Sequence, residues 1–185
     1  MTERICPTIT RRRAVRLLAA GATLLAASTA SAGPPVARDA SDPRWVGGAV
    51  VVPLPPPQAR ELLNDVGGWP KLFRDVRSLE IRRHDSGRWR ASLVSATLGG
   101  HAHDLEASRT AEGVAFTIDA TGLNTRGVFA VADGPSAGTS RVTFRLFAET
   151  TGVAGLFLSE QSLRKRQEGF VATYLADLQR LNAGR

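Results

Sequence analysis

The sequence predicts an α+β domain in which a curved antiparallel sheet wraps around a long C-terminal helix. Between residues 76 and 150, apolar residues recur with a period of two between short turns, which is typical of consecutive antiparallel strands. Between residues 156 and 182 they recur at helical spacing and form one apolar stripe. The stripe must be buried, and the inner face of the sheet offers the apolar surface for it. We therefore expect the sheet to curve around the helix.

The first 32 residues have the layout of a secretory signal peptide. Four Arg between positions 11 and 16 precede a short apolar stretch, Leu17 to Ala27, and small residues end the segment at Ala32. The apolar stretch is shorter than the roughly 20 residues that span a bilayer. A twin-arginine signal and an ordinary secretory signal both fit the pattern, and either one predicts a periplasmic or secreted protein.

The rest of the chain divides into a linker and one domain. Residues 33–44 are Pro-rich and aperiodic, which predicts a flexible linker, and residues 45–185 are predicted to form the domain. Cys6, the single Cys of the sequence, lies in the signal segment, so the domain is expected to fold without a disulfide. The domain is long enough to bury one core.

The charge balance argues against a nucleic-acid partner. The chain has 24 Lys and Arg against 17 Asp and Glu, but five of the Arg and one Glu belong to the signal segment, which leaves 19 against 16. A near-balanced surface gives no electrostatic footprint for DNA or RNA. No stable membrane span is expected, whereas transient membrane contact stays open.

The segment Asn64 to Val76, NDVGGWPKLFRDV, carries more apolar area than a surface loop needs. It follows a strand, Trp45 to Val52, and a proline-led helix that ends at the Gly67 and Gly68 pair. We interpret Trp69, Leu72 and Phe73 as the rim of an apolar cavity. The alternative is a hydrophobic plug that is packed permanently on the sheet.

Six further strands and the closing helix complete the predicted order of strand, helix, short helix, six strands and helix, with about seven strands in the sheet. The strands are predicted at residues 76–83, 88–98, 101–109, 114–121, 125–131 and 140–150. Gly169 lies in the middle of the closing helix, where it costs about 1 kcal/mol relative to Ala. We therefore expect a close approach or a bend at Gly169.

The order of elements and four segments resemble the START/SRPBCC helix-grip superfamily, which includes polyketide cyclase-like and coenzyme-Q-binding-like proteins. The segments are VPLPPPQARELLNDVGGWPKLFRDVRSLEI, VAFTIDATGLNTRGVFAVADG, GTSRVTFRLFA and RQEGFVATYLADLQRL, and the resemblance extends from Trp45 to Leu181. It implies a helix-grip fold with a cavity between the sheet and the C-terminal helix, entered near the loop after the first helices. It also implies an apolar or amphiphilic ligand, and in a minority of relatives a cyclisation or dehydration.

The histidines are the candidates for site chemistry. His101 and His103 share one strand face, but the sequence has three His in all and the domain has no Cys, so we expect no metal site and no cofactor. His103 is in phase with the inner-face residues Leu105 and Ala107. It is therefore either a polar group inside the cavity, which orients a ligand or acts as acid or base, or a hydrogen-bonded and partly exposed His at a strand end.

The predicted function is a secreted or periplasmic carrier of a hydrophobic or amphiphilic small molecule, such as a lipid, an isoprenoid quinone or a polyketide-like compound. Two alternatives stay open: a cyclase or dehydratase with His103 as general acid or base and Tyr174 as donor, and an interaction module with a solid core. The predicted ligand-binding residues are Trp69, Leu72, Phe73, Leu93, His103, Leu105, Phe116, Ile118, Phe129, Phe144, Phe170 and Tyr174. The aromatic residues of this set fit the solid core equally well.

Overall fold

A computed structural model describes residues 33–152 and 159–182. The predicted signal segment, residues 1–32, and the predicted helix start at Leu156 lie outside the described residues. The strands are β1 (Val36–Arg38), β2 (Trp45–Val52), β3 (Val76–Asp85), β4 (Arg88–Ser95), β5 (Ala102–Arg109), β6 (Gly113–Ala120), β7 (Leu123–Asp133) and β8 (Ser140–Thr150). The helices are α1 (Pro56–Asn64), α2 (Trp69–Leu72) and α3 (Glu160–Gln179), with short 3-10 turns at Val66–Gly68 and Arg180–Asn182.

The strands form one antiparallel sheet in the order β1-β2-β8-β7-β6-β5-β4-β3. This confirms the predicted curved sheet and long C-terminal helix, although the sheet has eight strands rather than about seven. The additional strand, β1, lies in the segment predicted to be a linker. Its three residues are too few to show a period of two, and pairing with Val46, Gly47 and Gly48 of β2 orders them.

Helix α3 lies on the inner face of the sheet and packs against β2 and β8. Its buried side chains are mostly those of the predicted stripe, with Phe170, Val171, Tyr174, Leu175 and Leu178 all under 5% exposed. Gly48 allows this close packing, because a Cβ at that position would lie 2.7 Å from Leu175 Cδ1 and 2.5 Å from the carbonyl oxygen of Pro35. Within the described ranges, no helix is both long and apolar enough to cross a membrane.

The start of α3 has a side-chain cap. The hydroxyl of Ser159 accepts a hydrogen bond from the backbone N–H of Ser162 at 3.2 Å, and Glu160 occupies the first turn. Both features favour a helix start at this point, since the hydroxyl satisfies a free N–H and the acid complements the helix dipole.

The middle of the inner face is filled by an aromatic cluster, which we define as Trp69, Phe73, Phe116, Phe129, Phe144 and Tyr174. The rings of Phe129 and Phe144 stack at a centroid distance of 4.2 Å, and those of Phe73 and Tyr174 at 4.5 Å. Gly127 lets the ring of Phe116 lie across β7, because a Cβ on Gly127 would lie 2.1 Å from Phe116 Cζ. The cluster joins α2, α3 and the central strands in one close-packed core.

The close approach predicted as one explanation of Gly169 is absent, and the alternative of a bend stays a prediction. A Cβ placed on Gly169 meets no atom within 4 Å, and the residue is exposed on an uninterrupted α3. Its helix cost is therefore not offset by any packing that requires glycine.

Replacing Gly169 by Ala should accordingly raise the free energy of unfolding by about 0.5 to 1 kcal/mol, because Ala has the higher helix propensity and finds open space. Urea unfolding followed by circular dichroism measures the change. Gly127→Ala is the control, and the clash with Phe116 should make it destabilising. Loss of stability in Gly169→Ala would show that glycine is needed there.

Candidate functional site

A cavity of about 550 Å³ lies beneath the N-terminal half of α3. Its walls are the β4–β5 loop, the β6–β7 turn, the adjoining parts of β7 and β8, and one side of the helix. The size falls in the range of small-molecule sites. The larger apolar side chains of the lining are those of Leu98, Leu123, Leu146, Leu163 and Phe170.

The polar side chains of the lining differ in exposure. Thr125 is 3% exposed, and its hydroxyl is buried without a hydrogen-bond partner in the described structure, which costs stability. Gln167 is also buried, but its side-chain amide reaches the carbonyl oxygen of Arg44 at 3.4 Å. Arg166 is exposed where the lining meets solvent.

His103 lines this cavity and also makes a hydrogen bond at the start of its strand. Its Nε2 lies 3.0 Å from the carbonyl oxygen of Leu98 in the β4–β5 loop. Because a carbonyl oxygen only accepts, Nε2 carries the proton, and in the neutral ring Nδ1 is left as an acceptor. The two interpretations of His103 are therefore compatible, since the residue is partly exposed, hydrogen-bonded and in the cavity wall.

The β4–β5 loop is held by the buried carboxylate of Asp75, which is 6% exposed. This carboxylate accepts hydrogen bonds from the hydroxyl of Ser95 at 2.5 Å, and from the N–H and the hydroxyl of Thr97 at 2.9 and 2.6 Å. Thr97 itself lines the cavity. Asp75 therefore fixes one wall of the cavity from within the core.

A second buried carboxylate, Asp177, ties the same segment to α3. It is 1% exposed and accepts hydrogen bonds from the N–H and Nε of Arg74 at 2.8 and 2.9 Å. Arg180 lies 2.9 Å from the same carboxylate. The adjacent residues Arg74 and Asp75 thus connect α3 to the β4–β5 loop.

Tyr174 belongs to this polar network and does not line the cavity. Its hydroxyl donates a hydrogen bond to Asp75 at 3.4 Å, and the side chain is 2% exposed. Burial, and then the negative charges of Asp75 and Asp177, raise the pKa of Tyr174 well above the ordinary value of 10.0. In this structure the hydroxyl of Tyr174, predicted to contact a ligand or to donate a proton to it, faces Asp75 instead of the cavity.

Tyr174 should make the protein less stable in strong base. Above about pH 10, the value for an unfolded tyrosine, the unfolded chain releases this proton and the folded chain keeps it. The folded state then binds more protons, so stability falls as pH rises from about 10 towards the higher folded pKa. Urea unfolding at intervals from about pH 8 to pH 11 measures this slope, and Tyr174→Phe should reduce it.

The sequence contains one Tyr, so tyrosinate absorbance reports Tyr174 alone. We expect the absorbance of the folded protein to stay that of the neutral phenol near pH 10, and to change on unfolding. If Tyr174 of the folded protein titrated at the ordinary tyrosine value of 10.0, this would contradict its buried contact with Asp75.

The predicted rim residues lie in the core and outside the lining of the cavity. Trp69 is 2% exposed, Leu72 is 9% exposed and Phe73 is fully buried. The indole N–H of Trp69 donates a hydrogen bond to the carbonyl oxygen of Leu63 at 3.0 Å. The rim prediction is therefore wrong and the plug alternative describes these residues, because α2 places their side chains in the aromatic cluster.

Two of the predicted ligand-binding residues, His103 and Phe170, line the cavity. Those outside the lining, besides Trp69, Leu72, Phe73 and Tyr174, are Leu93, Leu105, Phe116, Ile118, Phe129 and Phe144, all buried on the inner face of the sheet. They lie on the same face of the sheet as the cavity. However, α1, α2 and the rest of α3 cover the part of the sheet on which they lie.

The sequence prediction missed Thr125, Arg166, Gln167, Leu123 and Leu146. Thr125 and Leu146 follow the inner-face alternation of their strands, so the period of two contained a signal for both. Gln167 has the spacing of the predicted stripe, four residues after Leu163 and three before Phe170, so the helical period contained a signal for it too. Arg166 flanks the stripe, and its place in the wall depends on how α3 is rotated.

A metal centre is not formed by the described side chains. Within residues 33–152 and 159–182, no group of three or more His, Cys, Asp or Glu lies close enough to hold a metal ion. His101 and His103 both border the cavity, whereas Asp104 and Glu106 face outwards and pair with Arg82 and Arg90.

No known family model and no curated protein matches the chain. Solved structures do match. A protein from Thermus thermophilus is 22% identical with a TM-score of 0.58, covering 76% of this chain and 98% of its own. A START superfamily protein from Mycobacterium smegmatis is 10% identical with a TM-score of 0.58, covering 76% and 99%. The Zhui aromatase/cyclase from a Streptomyces species is 20% identical with a TM-score of 0.58, covering 75% and 93%. These likenesses show that the chain has the START/SRPBCC helix-grip fold.

Proposed function

We propose that this protein binds a hydrophobic or amphiphilic small molecule in the cavity beneath the N-terminal half of α3. The observation that carries the proposal is the cavity itself, about 550 Å³ in volume and lined mainly by Leu, Ala and Phe side chains. Apolar burial at about 25 cal/mol per Å² would supply most of the affinity. The helix-grip fold and its START superfamily and aromatase/cyclase neighbours support this class of function.

A lipid, an isoprenoid quinone or a polyketide-like compound has the apolar area that such a lining would bury.

A carrier of this kind fits the secretory signal that the sequence predicts, and we propose a periplasmic or secreted location on that basis. Cell fractionation of the producing bacterium, with detection of the chain and its N-terminal residue, tests this part of the proposal.

Uptake of the neutral apolar dye Nile red by the full chain tests the binding proposal. Ala148→Trp places a large ring in the cavity wall and should abolish uptake. The matched control is Ala132→Trp, because Ala132 lies on the exposed face of β7 and outside the lining. Native mass spectrometry of the purified protein should show a bound small molecule. A protein that is empty and takes up no dye would refute the proposal.

The second candidate function is a cyclase or dehydratase that uses His103. It is favoured by a ring that lines the cavity with Nδ1 left as an acceptor, which suits a general base. Tyr174 does not complete such a site, since its hydroxyl faces Asp75 in the core. The rival mechanism therefore rests on His103 alone.

Replacing His103 by Ala should leave Nile red affinity within about tenfold, because binding rests on apolar burial rather than on this ring. Under the rival function the same substitution abolishes turnover of a linear polyketide substrate that the wild-type chain converts. Dye titration and product analysis on both proteins distinguish the two candidates. Turnover by the wild type that is lost in His103→Ala would favour the enzyme.

A further inference from the structure

We infer that the ligand of this cavity is an amphiphile with a carboxylate head group, which is held by Arg166 where the cavity meets solvent. The inference rests on the proposed function and names the chemical class of the ligand. It is carried by the distribution of charge around the cavity and by the guanidinium of Arg166, which makes no ion pair with the described residues.

Among the described residues, Arg166 is the one Arg or Lys that lines the cavity, and no Asp or Glu borders it. An ammonium head group would meet a like charge there, and a carboxylate head group would meet an opposite one. The rest of the lining is mostly apolar, so the charge of the ligand has to remain at the opening.

Arg166 is available for such a head group. Two nearby cations are already paired: Arg164 lies 3.4 Å from Glu160, and Arg126 lies 3.5 Å from Glu149. Arg166 makes no ion pair within 4.0 Å in the part of the chain that the structure describes. A guanidinium matches the two oxygens of a carboxylate with parallel N–H donors, which an imidazole or an ammonium cannot do.

The buried apolar side chains of the lining lie deeper than Arg166. Leu146 and Phe170 are 2% and 4% exposed, whereas Arg166 is exposed. The arrangement fits a molecule with its apolar part inside and its charged end outside.

Displacement of Nile red from the full chain by three molecules of equal chain length tests the head group. Dodecanoic acid, dodecanol and dodecylamine share the same tail and differ in charge. We expect the acid to bind about three- to fivefold more tightly than the alcohol, the scale of one exposed ion pair, and the amine to bind most weakly. The preference for the acid should shrink as salt is raised.

Two substitutions in the same turn of α3 test whether contact with Arg166 causes the preference for the acid. Arg166→Gln should remove the preference for the acid over the alcohol. Lys165→Gln removes one positive charge from an exposed position outside the cavity lining, and should retain the preference. Both side chains are exposed, so neither change should alter the fold, and circular dichroism checks this.

The outcomes separate the two proposals. If Nile red is not taken up and no amphiphile binds, the proposed function fails. If the dye binds but acid and alcohol compete equally, the proposed function stands and the inference is overturned. Equal losses in Arg166→Gln and Lys165→Gln would also overturn it, because the preference would then come from net charge and not from contact with Arg166.

Discussion

Replacing Phe73 by Ala should lower the free energy of unfolding by about 3 to 5 kcal/mol, the usual cost of deleting a buried phenyl ring. Phe73 is fully buried, and its ring stacks on Tyr174 at 4.5 Å and on Phe129 at 5.5 Å. The substitution would leave a hole at the centre of the aromatic cluster, which is too well packed to collapse into it. Urea unfolding measures the loss.

Val51→Ala is the control for Phe73→Ala, since Val51 is 40% exposed on β2 and should change stability by less than about 0.5 kcal/mol. The result also decides between the two interpretations of the segment after α1. Substitution of a rim residue would lower stability little and ligand affinity strongly, whereas substitution of a plug residue lowers stability first. A small loss of stability together with a large loss of dye binding would restore the rim interpretation.

Replacing Asp75 by Ala should cost about 3 kcal/mol or more of stability and should also weaken Nile red binding. The substitution removes the acceptor of hydrogen bonds from Ser95, from Thr97 and from Tyr174, and it leaves these donors buried without partners. The β4–β5 loop loses the contact that holds it to the core, and this loop forms one wall of the cavity. Urea unfolding and dye titration measure the two effects.

Asp104→Ala provides the matched control, because it also deletes one carboxylate. Asp104 is exposed on β5 and pairs with Arg82 at 2.7 Å, so we expect a loss of at most about 1 kcal/mol and no change in dye binding. The stability of Asp75→Asn should lie between those of Asp75→Ala and Asp104→Ala, since the amide keeps one acceptor oxygen and loses the other. Equal stability of Asp75→Ala and Asp104→Ala would mean that the buried carboxylate does not organise the loop.

The two predictions concern different parts of one concave surface. The aromatic cluster fills the region under α1, α2 and the C-terminal half of α3, and the cavity occupies the region under its N-terminal half. The solid-core alternative is therefore an accurate description of the first region and is wrong for the second. Asp75 lies between the two regions and bonds to both, to Tyr174 of the aromatic cluster and to Thr97 of the cavity lining.

Much of this architecture can be predicted from the order of residues alone. The bounds of β2 and β8 agree with the predicted strands, because the alternation of Val142, Phe144 and Leu146 with polar residues is long and regular. The stripe on α3 identifies the face that is buried, and the inner-face positions of the sheet follow from the period of two. Such patterns depend only on the geometry of a strand or a helix.

Periodicity says which face of an element is buried, but it does not say what the face is buried against. Phe129 and Leu146 have equal inner-face signals, yet Phe129 packs in the aromatic cluster and Leu146 borders the cavity. That difference depends on where α2 and α3 lie across the curved sheet, and therefore on contacts between residues about a hundred positions apart, such as Arg74 with Asp177. The chain's local pattern specifies the fold and its inner surface, whereas the position of the open space arises only when the elements are packed together.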